Sequence, residues 1–369
     1  MRLGFFGRPV GLTGGIARYT TMLLYYLPRV APVNQYLVYT NRDSQLPGDG
    51  ALIRRGGPSR MGRVLWEQFW LPAQLRRDSL DLYHNPDFTL PVLSGVPSVV
   101  SILDLIFMKH SEGTSWQARA LYTSLTRLSA KRSKKIITIS DYSARDITNV
   151  LGVPPSKITR CYMGVDNRLA NLVSGSEADD ILQEQGIASP YLLYVGLITP
   201  RKGVVTLVKA FSKCAEKCGI KHLVLVGLQG SGFNKISEAI EESDVKDRII
   251  LAGSIDDRVL AALYQKAAAS CMPSYHEGFG LPVLEAMASG SPVLSSNATS
   301  LPEVVGDAGL MAAPDDVDAW ARNIETMVTT PGLPEEFRAK GYSQAAKFTW
   351  EQTARDHLEV YKEVVDNLK

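Results

Sequence analysis

Cysteine is scarce in this sequence, and no long hydrophobic run occurs in it. Only 4 of the 369 residues are cysteines, and they are too scattered for a scaffold held together by disulfides. Glycines interrupt the N-terminal residues before an apolar run reaches the length of a signal-peptide core. No other apolar stretch approaches the roughly 20 residues that a membrane-spanning helix needs. We therefore expect a cytoplasmic chain that is soluble or, at most, peripheral on the inner face of the cell membrane.

An excess of charge of either sign is also lacking. Lysine and arginine number 40 and aspartate and glutamate 38, which gives a formal net charge of +2. This balance argues against wholesale nucleic-acid binding. Hydrophobic residues at 45% and charged residues at 21% are typical of a globular protein, and the length favours two domains.

Two signatures of cofactor chemistry are missing as well. The glycine-rich turn Gly7–Gly15 follows the first apolar run but lacks the G-x-G-x-x-G spacing of a nicotinamide-dinucleotide site. Its Gly14 and Gly15 still permit a close approach of the backbone to a phosphate or an acceptor. The D-x-D pair Asp316 and Asp318 precedes an apolar helical pattern, so we expect it to cap a helix rather than bind a metal. We predict no metal and no cofactor.

Short apolar runs alternate with longer amphipathic stretches, and this pattern starts twice along the chain. Such alternation predicts parallel sheets covered by helices, so the expected fold class is α/β with two doubly wound units. The predicted strands are Leu3–Phe6, Tyr36–Tyr39, Leu80–His84, Ser98–Leu103 and Ile136–Ile139 in the first series, and Tyr191–Val195, Leu223–Val226, Ile249–Leu251, Ala268–Met272, Pro292–Ser295 and Gly309–Ala312 in the second.

The two series define two domains, 1–170 and 171–349. Polar and turn-forming residues dominate 167–189, so the linker is predicted inside this range. The final stretch 350–369 has helical periodicity. It either completes the second domain or crosses back to the first.

Two glutamates lie eight positions apart across a glycine-rich turn of the second domain. The turn contains Gly278 and Gly280, and the next helix is predicted to begin near Pro282. Backbone amides and the positive dipole end at such a helix start can seat a diphosphate. Glu285, one turn inside the helix, can accept hydrogen bonds from ribose hydroxyls. Glu277, before the turn, would project beyond the phosphates.

A pair of adjacent cations follows the first strand of the second series. Arg201 and Lys202 lie at a strand-to-helix turn, with the helix predicted to begin near Val204. An arginine can clamp two phosphate oxygens, and a lysine supplies a point charge. Both glycine-containing turns lie at carboxyl ends of strands, where ligands bind in open α/β sheets. The pattern predicts a diphosphate site.

The segment from Glu277 to Glu285 resembles the E-x7-E signature of the family 4 retaining glycosyltransferases. The similarity extends over nearly the whole chain. Further segments that match the family are the Gly14-Gly15 turn, Ser140–Ser143, Met163–Asp166, Pro200–Gly203 and Ser300–Gly309. The resemblance implies a GT-B architecture, in which two Rossmann-like domains face each other across a cleft. It also implies that the N-terminal domain holds the acceptor and the C-terminal domain holds the nucleotide sugar.

The resemblance also implies roles for individual residues. Arg201 and Lys202 would neutralise the donor diphosphate, Glu285 would hold the ribose, and Glu277 with the turn backbone would contact the sugar hydroxyls. A donor phosphate oxygen would take the acceptor proton, without a protein nucleophile or a metal. The implied donor-binding residues are Gly14, Gly15, Arg201, Lys202, Glu277, Gly278, Phe279, Gly280, Leu281 and Glu285, and the implied catalytic residues are Glu277, Asp104, Arg201 and Lys202.

The identity of the substrate is open at this point. The Pro-Arg-Lys pattern at 200–202 is similar to enzymes that use GDP-mannose, so a mannosyltransferase acting on a glycan or lipid-linked acceptor is expected first, ahead of one using UDP-glucose or UDP-N-acetylglucosamine. The family usually carries His-Asp where this chain has Leu103 and Asp104. Leu103 favours one alternative, a non-catalytic sugar-nucleotide-binding subunit. A nucleotide-sugar 2-epimerase on the same two-domain fold is another.

The first domain also contains a basic and aromatic segment, Arg60–Pro72. It includes Trp66, Phe69 and Trp70. Such a segment can seat a domain on anionic lipid, although aromatic residues at helical spacing are more often part of a core. Both interpretations stay open at this point.

Overall fold

The computed structural model describes residues 1–42, 45–48, 52–58, 62–109 and 115–368. The chain forms two compact units. One comprises Met1–Gly164 together with Thr349–Lys369, and the other comprises Val165–Phe348. The sequence prediction placed these boundaries after residues 170 and 349.

The first unit is built on a parallel sheet. Its strands are β1 (Arg2–Phe6), β2 (Gln35–Thr40), β3 (Leu52–Gly56), β4 (Leu82–Asn85), β5 (Ser98–Ser101), β6 (Lys135–Thr138) and β7 (Ile158–Arg160). They lie in the order β3-β2-β1-β4-β5-β6-β7. The strand order reverses between β1 and β4, and this topological switch point is where doubly wound sheets bind ligands.

Helices cover this sheet. Within the described ranges they are α1 (Gly15–Val30), α2 (Arg63–Leu65), α3 (Leu71–Arg77), α4 (Ile106–Lys109), α5 (Trp116–Arg132) and α6 (Asp141–Leu151), with a π-helical turn at Trp66–Trp70 between α2 and α3. Trp66 is fully buried in the core of the unit and stacks on Trp70, with 5.2 Å between the ring centroids. The core interpretation of this aromatic pair is therefore confirmed, whereas Arg60 and Met61 of the same segment lie outside the described residues.

The second unit repeats the same plan. Its parallel strands are β8 (Tyr191–Val195), β9 (His222–Val226), β10 (Ile249–Gly253), β11 (Ala269–Met272), β12 (Val293–Ser296) and β13 (Gly309–Ala312). The order is β10-β9-β8-β11-β12-β13, so the switch point lies between β8 and β11. All eleven strands predicted from the sequence are present. The strands β3 and β7, both at edges of the first sheet, were not predicted.

The described helices of the second unit alternate with these strands. They are α7 (Asn167–Ala170), α8 (Gly175–Glu184), α9 (Val204–Cys214), α10 (Phe233–Glu241), α11 (Asp257–Lys266), α12 (Leu281–Ala288), α13 (Leu301–Val305), α14 (Val317–Thr329) and α15 (Leu333–Ala345). The range 167–189, predicted to contain the linker, forms α7 and α8 of this unit. Asp316 caps α14 by accepting a hydrogen bond from the Ala319 amide, as its pattern predicts.

The last helix, α16 (Trp350–Asp366), belongs to the first unit, where it packs on α1. Its buried face includes Ala354, Leu358 and Tyr361. The helical periodicity left open whether this stretch completes the second unit or crosses back to the first. In the structure it crosses back to the first unit.

Candidate functional site

The turn between β8 and α9 lies against the end of β11. A 3-10 turn at Pro200–Lys202 ends at Gly203, whose φ of 72° is left-handed. A Cβ added there would lie 2.0 Å from the Pro273 carbonyl oxygen, so only glycine permits this approach. The Tyr275 amide donates to the Arg201 carbonyl at 3.0 Å. The two turns that flank the switch point are thus joined through their backbones.

Lys202 and Glu277 form an ion pair across these turns. The Lys202 Nζ contacts Glu277 Oε1, and the side chains are only 15% and 10% exposed. The Ser274 hydroxyl donates to the same carboxylate oxygen at 2.9 Å. The carboxylate is therefore held in one place by a cation and a neutral donor, which is the kind of orientation a substrate-contacting group needs.

Arg201 lies beside this pair. Its Nη1 donates to the His276 carbonyl oxygen at 2.9 Å, on the residue just before Glu277. The two cations therefore reach the same turn from the end of β8. This brings together three of the residues that the sequence predicted for catalysis.

Hydroxyl groups fix the glycine-rich turn from the side of α13. The Glu277 amide donates to Thr299 Oγ1 at 3.1 Å. The Ser300 hydroxyl lies within hydrogen-bonding distance of the carbonyl oxygens of Glu277 (2.9 Å) and Phe279 (3.1 Å). Thr299 has a φ of 57°, a rare conformation for a β-branched residue. Sequence reasoning missed Ser274 and Thr299 as parts of the site, although Ser300 was among the residues that carry the resemblance.

Helix α12 begins directly after this turn. Its N-cap Gly280 has a φ of 109° and provides no side-chain cap for the first helical amides. A helix start of this kind directs backbone N–H groups and a positive dipole end outward, which suits an anion. A Cβ on Gly280 would also lie 2.6 Å from Leu301 Cδ2. The predicted helix start near Pro282 is confirmed, one residue earlier at Leu281.

Glu285 lies one turn inside α12. It is buried, and its Oε2 accepts from the Tyr264 hydroxyl at 3.4 Å. A buried carboxylate needs partners of this kind. Tyr264, on α11, is another contact that the sequence did not reveal.

The remaining predicted residues lie in the first unit. Gly14 is the N-cap of α1 with a φ of 100°, and a Cβ at Gly14 or Gly15 would meet nothing within 4 Å. Asp104 Oδ1 accepts from the Ile106 amide at 3.0 Å and so begins α4. Leu103, in the place of the usual family histidine, is buried. The predicted site residues thus fall into two groups, one in each unit.

The described residues contain no group of three or more histidine, cysteine, aspartate or glutamate side chains placed to hold a metal ion. Within the same part of the chain, no helix has the length and hydrophobicity needed to cross a bilayer.

Two family models match the chain. The model described as "Glycosyltransferase Family 4" matches residues 13–169, and "Glycosyl transferases group 1" matches residues 178–344. The O-antigen chain mannosyltransferase B of Escherichia coli is 33% identical over 293 residues, which cover 78% of this chain and 75% of that protein.

Solved structures share the fold over the full length. The sucrose-phosphate synthase of Thermosynechococcus elongatus has a TM-score of 0.79 at 22% identity, with 99% of each chain covered. HepE of Anabaena, solved in complex with UDP-glucose, has a TM-score of 0.76 at 18% identity, with 98% of this chain and 100% of that chain covered. These likenesses confirm the GT-B class of two Rossmann-like units. The chain belongs to glycosyltransferase family 4, and it is a glycosyltransferase.

Proposed function

We propose that the protein is a retaining hexosyltransferase that transfers mannose from GDP-mannose to a hydroxyl of a glycan or lipid-linked acceptor, without a metal. The observation that carries the proposal is the Lys202–Glu277 ion pair beside Arg201. It lies at the switch point of the second sheet, next to the start of α12. Cations, amides and an oriented carboxylate there fit a sugar diphosphate.

In this mechanism the second unit stabilises the leaving diphosphate. Negative charge grows on the phosphate oxygens as the bond to the sugar breaks. Arg201, Lys202 and the amides at the start of α12 are already oriented toward that region, so they gain interaction energy as the charge develops. Fixed cations of this kind do the work for which other transferases use a metal ion.

The acceptor hydroxyl has to lose a proton during transfer. In the proposed front-face displacement a phosphate oxygen of the departing diphosphate takes it, so no protein base is needed. Glu277 then has a positioning task at the sugar hydroxyls, for which its bonds to Lys202 and Ser274 orient it. Glu285 would accept from the ribose hydroxyls.

Mannose is proposed because the relative at 33% identity is named as a mannosyltransferase and because of the Pro-Arg-Lys turn. A panel of GDP-mannose, UDP-glucose and UDP-N-acetylglucosamine, assayed for transfer and for donor hydrolysis, tests the proposal. We expect turnover with GDP-mannose and retention of the anomeric configuration. Turnover confined to a UDP-sugar would show that GDP-mannose is not the donor. Release of an epimerised sugar would show that the protein is an epimerase and not a transferase.

A non-catalytic sugar-nucleotide-binding subunit is the second candidate. It is favoured by Leu103, a buried aliphatic residue where the family usually has histidine, and by Asp104, whose carboxylate caps α4. This candidate predicts nucleotide-sugar binding without any turnover. A Leu103→His variant that gains activity from an inactive wild type would establish it.

We also propose that the first unit contacts the membrane surface. Of the aromatic run that suggested this, Phe69 is 72% exposed whereas Trp66 is buried. Helix α5 adds a second surface, where Trp116 is 75% exposed. The range 116–135 contains six lysines and arginines and no acidic residue. Exposed aromatic and basic side chains together suit an anionic bilayer.

A further inference from the structure

Charged side chains gather at the switch point of the first sheet, outside the donor site. Arg8 follows β1 and Asp87 follows β4, the two strands between which the order reverses. Arg63 on α2 lies over the ring of Phe6, the last residue of β1, at 5.4 Å. Glu67, one helical turn after Arg63, completes the group. All four lie at the carboxyl edge of the sheet, where doubly wound folds bind ligands.

Arg63 engages both carboxylates of this group. Its Nη1 lies 2.8 Å from Asp87 Oδ2, and its Nε lies 3.6 Å from Glu67 Oε2. Its Nη2 donates to the Asp87 carbonyl oxygen at 2.8 Å. Burial raises the pKa of both carboxyl groups, even though Arg63 opposes the shift. The two acidic side chains are therefore occupied by one guanidinium.

Like the Nε of Arg63, one donor of Arg8 is left unused by the described residues. Its Nη1 is buried and has no hydrogen-bond partner in the described part of the chain. Burial lowers the pKa of Arg8, and the positive charges of Arg42 and Arg63 lower it further. Arg42 follows β2, the neighbour of β1 in the sheet, so it lies at the same edge as Arg8. The guanidinium of Arg8 is thus repelled by two others. A buried donor without an acceptor costs free energy that a ligand oxygen would recover.

We propose that Arg8 and Arg42, beside Arg63, bind a phosphoryl group carried by a ligand of the first unit. An anion relieves the repulsion among the arginines, which a neutral sugar hydroxyl cannot do. A phosphate also offers several oxygens to the guanidinium fork of Arg8. We identify that ligand as the glycosyl acceptor, which rests on the proposed function. The acceptor is then a phosphorylated or diphosphate-linked molecule rather than a neutral glycan.

Isothermal titration of the full chain with inorganic pyrophosphate tests the site without any turnover. Because the donor site also attracts pyrophosphate, the titration is made in a Lys202→Gln background. We expect residual binding there that Arg8→Gln and Arg42→Gln each weaken at least about tenfold. Arg42 is exposed, so its variant removes charge without disturbing the core. Arg29→Gln, at the far end of α1, is the matched control and leaves binding unchanged.

Two results of this titration would count against the proposal. Pyrophosphate binding in the Lys202→Gln background that is insensitive to Arg8→Gln and Arg42→Gln would overturn the proposal, as would the absence of any binding in that background. Far-ultraviolet circular dichroism and Tm of each variant identify a folding defect, and Arg8→Lys restores a charge if Arg8→Gln does not fold.

A second experiment distinguishes a phosphoryl group on the acceptor from free phosphate. Once turnover is established, paired acceptors with and without the phosphoryl group are compared. We expect Arg42→Gln to raise the KM of the phosphorylated acceptor about tenfold and to leave the donor KM unchanged. Equal KM values for both acceptors in the wild type would reject the acceptor assignment while leaving the transferase function intact.

Discussion

Two glutamates of the second unit have different surroundings, and their tasks should differ accordingly. Glu277 is held by a lysine and a serine at the turn before α12. Glu285 is inside the helix and pairs with Tyr264. The first carboxylate lies beside the cations, where the bond to the sugar would break. The second lies farther along α12, where a ribose would fit.

We predict that Glu285→Ala mainly weakens nucleotide binding, whereas Glu277→Ala mainly lowers kcat. Loss of a ground-state contact raises the dissociation constant, and loss of a contact made at the reacting sugar lowers turnover by about 10²-fold or more. Titration with the nucleotide and steady-state kinetics measure the two effects. Glu238→Ala, on the exposed face of α10, is the control. The reverse pattern would reject these two assignments.

At the scale of elements, the turn from β8 to α9 depends on one glycine. Gly203 has a left-handed backbone conformation. A Cβ at this position would clash with the Pro273 carbonyl oxygen. Gly152, which ends α6, has a similar φ of 67° but open space around it. The two positions therefore separate backbone strain from steric clash.

We predict that Gly203→Ala destabilises the protein by at least about 3 kcal/mol, because conformational strain and overpacking add. Gly152→Ala carries the strain alone and should cost about 1 kcal/mol. Calorimetric Tm values measure both, with an expected decrease of about 2–4 °C for each kcal/mol. Equal decreases for the two variants would show that the close approach to Pro273 is unimportant.

Helix α16 is tied to the first sheet by a buried chain of hydrogen bonds. The Thr353 carbonyl can only accept, so His357 Nδ1 donates to it at 2.6 Å. The other ring nitrogen, Nε2, then accepts from Tyr19 at 2.5 Å, and Tyr19 accepts from Ser101 at 2.7 Å. One backbone carbonyl thus sets the direction of the bonds that follow.

The same chain continues from Ser101 to the end of α16. Ser101 accepts from His84 Nε2 at 2.8 Å, and His84 Nδ1 accepts from Tyr361 at 2.7 Å. Both imidazoles are therefore neutral, with opposite tautomers. A proton added to either imidazole would place a positive charge on a fully buried ring.

This arrangement predicts a loss of stability in acid. Burial lowers the pKa of His357 to about 4, and burial together with His357 lowers that of His84. Because the unfolded chain takes up protons near pH 6.5 and the folded chain does not, stability is complete above that pH and declines as the pH falls toward 4.

Between the two pKa values, the free energy of unfolding should fall by roughly 1.4 kcal/mol per pH unit for each imidazole. We expect His357→Gln to reduce the slope of unfolding free energy against pH in denaturant titrations between pH 6.5 and 4.5. The comparison uses slopes, because the substitution also changes the absolute stability. An unchanged slope would show that the acid sensitivity arises elsewhere.

How far the sequence predicted these elements depends on whether their signals are local. The residues at Arg201, Lys202 and Glu277–Glu285 lie in continuous motifs, so their turns and helix starts could be predicted. Strand β3 is mostly exposed and contains two arginines, and β7 has three residues, so neither has an apolar pattern. The bonds that tie α16 to the first sheet join residues up to 338 positions apart. No local pattern records such contacts.

In the whole molecule, the six strands of the second sheet repeat the order of the first six strands of the first sheet, and both units have polar residues at the carboxyl edge. In the second unit that edge holds the proposed donor site, and in the first it holds Arg8, Arg63 and Asp87. The two proposals above place the donor at one of these edges and the phosphoryl group of the acceptor at the other.

The first unit is proposed to contact the membrane surface through exposed basic and aromatic side chains. We predict that the protein co-sediments with vesicles of phosphatidylcholine containing about 30% phosphatidylglycerol and not with phosphatidylcholine alone, since the basic residues near α5 need anionic headgroups. Trp116→Ser should reduce binding about tenfold. Trp66 is no test because it is core. Sedimentation that is insensitive to Trp116→Ser and to lipid charge would contradict the proposal.

The second unit is proposed to hold a sugar diphosphate between its two switch-point turns. A crystal structure of the protein in complex with GDP-mannose tests it most directly. We expect the diphosphate within hydrogen-bonding distance of Arg201 and Lys202, the ribose on Glu285 and the hexose beside Glu277. A nucleotide bound elsewhere, with these four side chains free of it, would show that the second unit does not bind its donor in this way.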